Sequence, residues 1–112
     1  GMGAFLNDRR IRVSGRRDMH QALFATGIPF AAVPRKGEFV QTLARLMPQV
    51  SGIRRFGSAA LDLAWVAAGR YDGYWELGVN KWDVAAGLVL VKEAGGYATD
   101  PEGGAPYAEC NI

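Results

Sequence analysis

Two stretches late in the chain are almost bare of polar side chains: "AALDLAWVAA" at Ala59–Ala68 and "VAAGLVLV" at Val84–Val91. Turn signals bound both. Ser58 stands where a helix N-cap belongs and Gly69 where a helix stops, so the first stretch predicts a helix over Ala59–Ala68. Asn80 is placed to cap the second helix, with Asp83 in its first turn. That helix is expected to run to about Ala94 and end at Gly95-Gly96. Asp62 is the only charge within the earlier helix, so most of the surface of both should be covered. Upstream, Glu38–Leu46 reads as an amphipathic helix with Phe39, Val40, Leu43 and Leu46 on one face, ended by Pro48. Between these elements lie short strand patterns: the alternating Arg10–Ser14, the apolar Gln21–Thr26, Ile53–Phe56, the strand of "DGYWEL", and "YATD" after the last helix. Strands alternating with helices at this spacing predict an α/β fold, a mixed sheet with a parallel portion flanked by helices.

Composition narrows the class. A chain of 112 residues, 49% hydrophobic and 21% charged, fits one globular domain over residues 1–112. Its longest apolar run falls well short of the ~20 residues that span a bilayer. The start, glycine-rich and then basic, lacks the pattern of a signal peptide. A single cysteine, Cys110, has no internal disulfide partner and suits a reducing, cytoplasmic setting. "GMGAFLND" and "YAECNI" both look abrupt, as in an excerpt from a longer protein.

Charge is unevenly spread. Residues 1–56 hold ten Lys/Arg against three Asp/Glu, and residues 57–112 hold three against eight, leaving +7 and −5 within a net +2. A basic half suits nucleic acid or phosphate and an acidic half a metal ion, or the two simply attract each other. "RRIRVSGRR", with Arg9, Arg10, Arg16 and Arg17, reads as a nucleic-acid patch, a kinase site around Ser14, or the solvated face of a strand. "GIPFAAVPRKG" is a loop punctuated by Pro29, Pro34 and Gly37.

Ligands of open α/β sheets gather where strands end and helices begin. At the first such corner, Gly57 permits close backbone approach, and Ser58 with the free amides of the helix start offers donors to an oxyanion or hydroxyl. At the second, Glu76 ends a strand and Asp83 opens a helix. Asp83 is a suitable Mg²⁺ ligand, but a carboxylate there also stabilises a helix start with no further role. Glu76 is otherwise an exposed strand residue, and the neighbouring Trp82 is expected in the core. His20 has no second His or Cys beside it, "FGSAA" lacks the second glycine of a nucleophile elbow, and "DPEGG" at Asp100–Gly104 reads as turn chemistry.

The stretch Gly52–Gly96 resembles the C-terminal signature of the inositol monophosphatase family. It carries Trp-Asp-x-x-Ala-Gly at Trp82–Gly87 and Glu-Ala-Gly-Gly at Glu93–Gly96, and "GAFLNDRRIRVSGR" is similar to the family segment that follows the first sheet. The resemblance implies the C-terminal half of a layered α-β-α-β-α sandwich, truncated at both ends relative to the family. It implies a Mg²⁺-dependent, lithium-sensitive, commonly homodimeric phosphatase acting on inositol monophosphate or a similar small phosphate ester. By that likeness Asp83 would be the catalytic residue that binds Mg²⁺. Glu76 would hold an inositol hydroxyl, Gly57, Ser58 and Ala59 would line the substrate, and Gly27 would sit in a substrate-side loop. The family's other metal ligands, in an upstream glutamate helix and an Asp-Pro-(Ile/Leu)-Asp-Gly-Thr motif, are not in this sequence. The 112 residues alone are therefore expected to be inactive, and a nucleic-acid or protein-binding module built on the basic half is the alternative.

Overall fold

The central strand is β3, Leu23–Thr26, and its neighbours β4, Gly52–Arg54, and β5, Gly73–Trp75, both run parallel to it. The computed structural model describes residues 1–28, 35–104 and 112 of the chain. Phe24 pairs with Ile53 on one side and Gly73 on the other, so the three strands share one register. Backbone bonds at the strand starts extend the ladder: the Ser51 amide donates to Ala22 O and the Asp72 amide to Leu23 O, each at 2.8 Å. Parallel neighbours need crossovers, and helices supply them. α1, Lys36–Leu46, joins β3 to β4, and α2, Ala59–Ala67, carries the chain from β4 across to β5. α3, Lys81–Glu93, follows β5.

The expected parallel portion is thus the whole of the described three-stranded sheet. A mixed character enters only at its edge. Glu76 and Ile112 each donate a backbone N–H to the other's carbonyl at 2.9 Å, the exchange made by a hydrogen-bonded antiparallel pair.

α2 and α3 pack directly on each other. Leu63 and Ala67 of α2 meet Val84, Leu88 and Val91 of α3 in one core cluster that also takes in Ala4, Val79, Ala94 and Ile112. Gly87 sets the closeness, since a Cβ there would lie 2.6 Å from Leu63 Cβ. The outer side of the pair is barer than the apolar sequence suggests, with Leu61, Trp82 and Val89 exposed. Trp82, expected in the core, is 78% exposed: it lies in the first turn of α3, about 200° around the helix from Val84, which is buried in the core cluster.

α1 meets the sheet through fewer side chains than its pattern predicted. Phe39 is buried and stacks on Trp75, ring centroids 5.8 Å apart, while Leu43 and Leu46 are half-buried and Val40 is exposed. Val40 is one residue, or about 100°, around the helix from Phe39, too far to reach a sheet only three strands wide.

Other differences lie near the ends. The alternation at Arg10–Ser14 does not form a strand beyond Arg10. The Ile11 amide bonds to Ala4 O at 2.9 Å and the Val13 amide to Ala94 O at 3.1 Å, so the backbone bonds are divided between two partners rather than making a ladder. Instead Phe5–Leu6 (β1) and Arg9–Arg10 (β2) form a small hairpin around Asn7 and Asp8, both at positive φ. "YATD" is not a strand. His20 lies in an exposed 3-10 turn. Asp100 Oδ1 accepts from the amides of Glu102 and Gly104, the turn chemistry expected of "DPEGG". Pro29, Pro34 and Cys110 fall outside the described residues. No helix among those described is long and apolar enough to cross a membrane.

The basic segment is tied to the sheet by Asp72. Arg16 Nε donates to both of its carboxylate oxygens at 2.8 and 3.0 Å, Arg16 Nη2 donates to Gly69 O, and the Leu23 amide donates to Asp72 Oδ2 at 2.8 Å. Burial pushes Asp72 upward, but hydrogen bonds from Ser14, Leu23 and Arg16 outweigh it and hold the carboxyl below its ordinary range.

Candidate active site

The N-terminus of α2 forms as the sequence predicts. Ser58 is extended, at φ −135° and ψ 104°, and its Oγ accepts from the Leu61 amide at 3.2 Å, while its carbonyl accepts from the Asp62 amide. That leaves the Ala59 and Ala60 amides without a bond among the described residues, at the positive end of the helix dipole. Gly57 has φ +82°, and nothing lies within 4 Å of where its Cβ would be. Its glycine serves the turn, because few other residues adopt that backbone conformation.

At the second corner, Glu76 follows β5 and is half-buried. Three features fix it. Its backbone pairs with Ile112, its Oε1 accepts from Tyr74 Oη at 2.5 Å, and its carboxylate fills the space a side chain on Gly27 would occupy. Gly27 is buried, and a Cβ there would overlap the carboxylate. Glu76 is accordingly no free strand residue.

Asp83 opens α3 and is exposed. Asn80 stands at the N-cap, yet its side chain makes no capping bond to the helix backbone. Its Nδ2 donates instead to Asp83 Oδ2 at 3.3 Å, and its carbonyl accepts from the Asp83 amide. The carboxylate is steered by a neighbouring amide and remains open to solvent.

A further acid, treated in the sequence only as a sign of burial, stands out within α2. Asp62, one turn along α2 from Ser58, is 1% exposed, and neither carboxylate oxygen has a hydrogen-bond partner among the described residues. Burial, and then the charge of Glu76, push its carboxyl up to about 6. The Tyr74 hydroxyl is raised well above its usual range, first by burial, then by its bond to Glu76, and further by the charges of Glu76, Asp62 and Asp83. Ala59, the first residue of α2, packs against the same core cluster that contains Val84 of α3. The sequence signal for Asp62 was a lone acid inside an otherwise apolar helix.

The arrangement offers hydroxyl-accepting oxygens at Glu76, amide donors at Ala59 and Ala60, and one outward carboxylate at Asp83. It does not make a complete metal cage. Among the described residues no three His, Cys, Asp or Glu side chains converge to hold an ion. Asp83 contributes one solvent-facing carboxylate at the start of α3.

The sequence model describing the inositol monophosphatase family matches residues 1–111. The chain belongs to the inositol monophosphatase family. An inositol-1-monophosphatase from Rhizobium meliloti is 54% identical over 104 residues, 93% of this chain and 39% of the relative. A protein named Nus factor SuhB from Pseudomonas aeruginosa is 49% identical over 111 residues, 97% of this chain and 41% of its own length. In structure, the extragenic suppressor protein SuhB of Bartonella henselae matches with a TM-score of 0.91 at 53% identity, covering 98% of this chain and 42% of that one. The chain therefore spans about two fifths of the length of these inositol monophosphatase relatives, and its α/β architecture is theirs over that span.

Proposed function

We propose that this chain is the alcohol-binding side of a Mg²⁺-dependent phosphomonoesterase site that hydrolyses inositol monophosphate or a similar small phosphate ester. The observation that carries the reading is the fixed Glu76 carboxylate, braced by Tyr74 and seated over Gly27, at the end of β5 on the way to the start of α3. A carboxylate held this way accepts a hydrogen bond from a substrate hydroxyl and orients the ring that bears it. The Ala59 and Ala60 amides and the Ser58 hydroxyl face the same ester as donors, suited to hydroxyl or phosphoryl oxygens. Glu76 repels a second anion at the alcohol end, which favours monoesters over bisphosphates.

Asp83 would give one oxygen to a Mg²⁺ ion, whose role when bound is to neutralise charge on the phosphoryl group. The remaining ligands, by the same proposal, come from chain outside these 112 residues. The chain alone should release no appreciable phosphate from inositol monophosphate in Mg²⁺. Joined to the remainder of the length that its relatives have, it should turn over. Release by the 112 residues at the rate of an intact enzyme would refute the missing-ligand argument.

A second reading has one observation behind it, the name Nus factor borne by some relatives. Arg9, Arg10, Arg12 and Arg17 are exposed, whereas Arg16 is engaged with Asp72. Retention on RNA that weakens with salt and disappears on neutralising Arg9, Arg10 and Arg17 would support it.

A further inference from the structure

We propose that Arg16 is a positioning residue for Glu76: by clamping Asp72 to the start of β3, it fixes how β5 sits on β3 and so aims the Glu76 carboxylate at the far end of the strand. That Glu76 meets a substrate hydroxyl rests on the function proposed above. The coupling of Arg16 to Glu76 does not.

The strand that carries Glu76 has little else to hold it. β5 is three residues long and lies at the edge of its sheet, with β3 its one strand neighbour among the described residues. A ladder that short makes few bonds, so its fit at one end depends on how the other end is held. Asp72, the residue before β5, holds that other end. Its amide donates to Leu23 O at 2.8 Å, its Oδ2 accepts from the Leu23 amide at 2.8 Å, and both carboxylate oxygens accept from Arg16 Nε at 2.8 and 3.0 Å. Arg16 Nη2 reaches on to Gly69 O at 2.9 Å, just past the end of α2. One guanidinium thus joins the turn that feeds β5 to the carboxylate that meets β3.

From there the two strands run in step. Phe24 is level with Gly73, Ala25 with Tyr74 and Thr26 with Trp75, where Thr26 Oγ1 donates to Trp75 O at 2.8 Å. One residue further stand Gly27 and Glu76, and there the fit is tightest, since a Cβ on Gly27 would overlap the Glu76 carboxylate. Close packing of this kind passes a small shift of β5 against β3 directly to the carboxylate and to its bond with Tyr74 Oη. Removing Arg16 supplies such a shift. The Asp72 side chain is 10% exposed, and a carboxylate that loses a charged donor there turns toward water, pulling on the Leu23 bond it shares.

The test reads the far end of the ladder in the 112-residue chain, without substrate. The Tyr74 ring carbon that bears the hydroxyl reports by NMR on the bond to Glu76, and Glu76→Gln marks its value once that carboxylate is gone. Chemical shifts of the folded chain do not follow overall stability, so an Arg16 that merely stabilises leaves them in place. In Arg16→Met the Tyr74 signal should move toward the Glu76→Gln value, while the methyl signals of Leu63 and Leu88 in the α2–α3 core stay put. Arg16→Lys, which keeps the charge without the planar group that reaches both Asp72 and Gly69, should fall between wild type and Arg16→Met. A Tyr74 signal that neither variant moves would overturn the proposal, and so would core signals displaced as far as that of Tyr74. If Arg16→Met does not fold, Arg16→Lys alone decides on the same terms. In a full-length protein containing this segment, Arg16→Met should raise KM for inositol monophosphate roughly 10-fold and change kcat by less than about twofold, because Glu76 holds the alcohol rather than the reacting bond. An unchanged KM beside a shifted Tyr74 signal would count against the phosphatase reading and leave the coupling intact.

Discussion

The carboxylate of Glu76 lies where a side chain on Gly27 would have to be. The two residues come from different strands' ends, β3 and β5, so the contact joins the sheet to the candidate site. Gly27→Ala should push Glu76 off Tyr74. Overpacking of this kind costs roughly 1–3 kcal/mol, measurable as a lowered urea midpoint. In a chain that turns over, it should raise KM for the phosphate ester more than it lowers kcat. An unchanged midpoint and unchanged KM would show that the loop yields freely.

Gly87 and Leu63 set the distance between α2 and α3 in the same manner. Gly87→Ala gains up to about 1 kcal/mol of helix propensity, yet places a methyl group against Leu63, and the clash should dominate. Adding Leu63→Ala should recover part of that loss. A double-mutant cycle on unfolding free energy measures it, and strict additivity would contradict the packing argument.

Asp62 should make its own mark on stability against pH. Its folded value of about 6 lies above the model-compound 3.8, so the native state holds the proton more tightly than the unfolded chain. Its contribution is full below about pH 4, declines as pH rises through about 6, and is flat beyond. Asp62→Asn removes that decline. At pH 7 the variant should be more stable than wild type by on the order of 1–3 kcal/mol, with the gap closing by pH 4, as read by thermal unfolding at several pH values.

Asp72 works in the opposite direction. Its carboxyl is held below the ordinary range, so it stabilises at neutral pH and that contribution is lost as pH falls beneath the unfolded value, about 3.9. Arg16→Met should cost about 1–3 kcal/mol at pH 7, because a mostly buried carboxylate loses a donor. The deficit should shrink in acid.

The helices were the most legible part of the sequence because their ends carry local chemistry. Ser58 caps where it must, Gly69 at φ +78° stops α2, and the apolar runs between such signals fold as helices. The parallel sheet followed from their alternation with short strands. What could not be read from local pattern was decided by partners distant in sequence. The "RIRVS" alternation is real, but its amides bond to Ala4 and Ala94, so it makes no ladder. Trp82 looks like a core residue by type, yet only the packing of α3 on α2 decides which side of the helix is covered. Glu76 and Asp83 were visible as acids at strand–helix corners. The bracing of Glu76 by Gly27, 49 residues away in sequence, and the lack of a hydrogen-bond partner for Asp62 among the described residues depend on tertiary contacts alone.

The central claim is that Asp83 completes a metal-dependent phosphatase site whose alcohol end is Glu76. The most direct measurement is Mg²⁺-dependent phosphate release from inositol monophosphate by a full-length protein containing this segment, with and without Asp83→Asn. The account predicts turnover in the parent and a loss of about 100-fold or more in the variant, with thermal stability changed by about 1 kcal/mol or less. Activity that survives Asp83→Asn would leave the residue a helix-start carboxylate and contradict the claim.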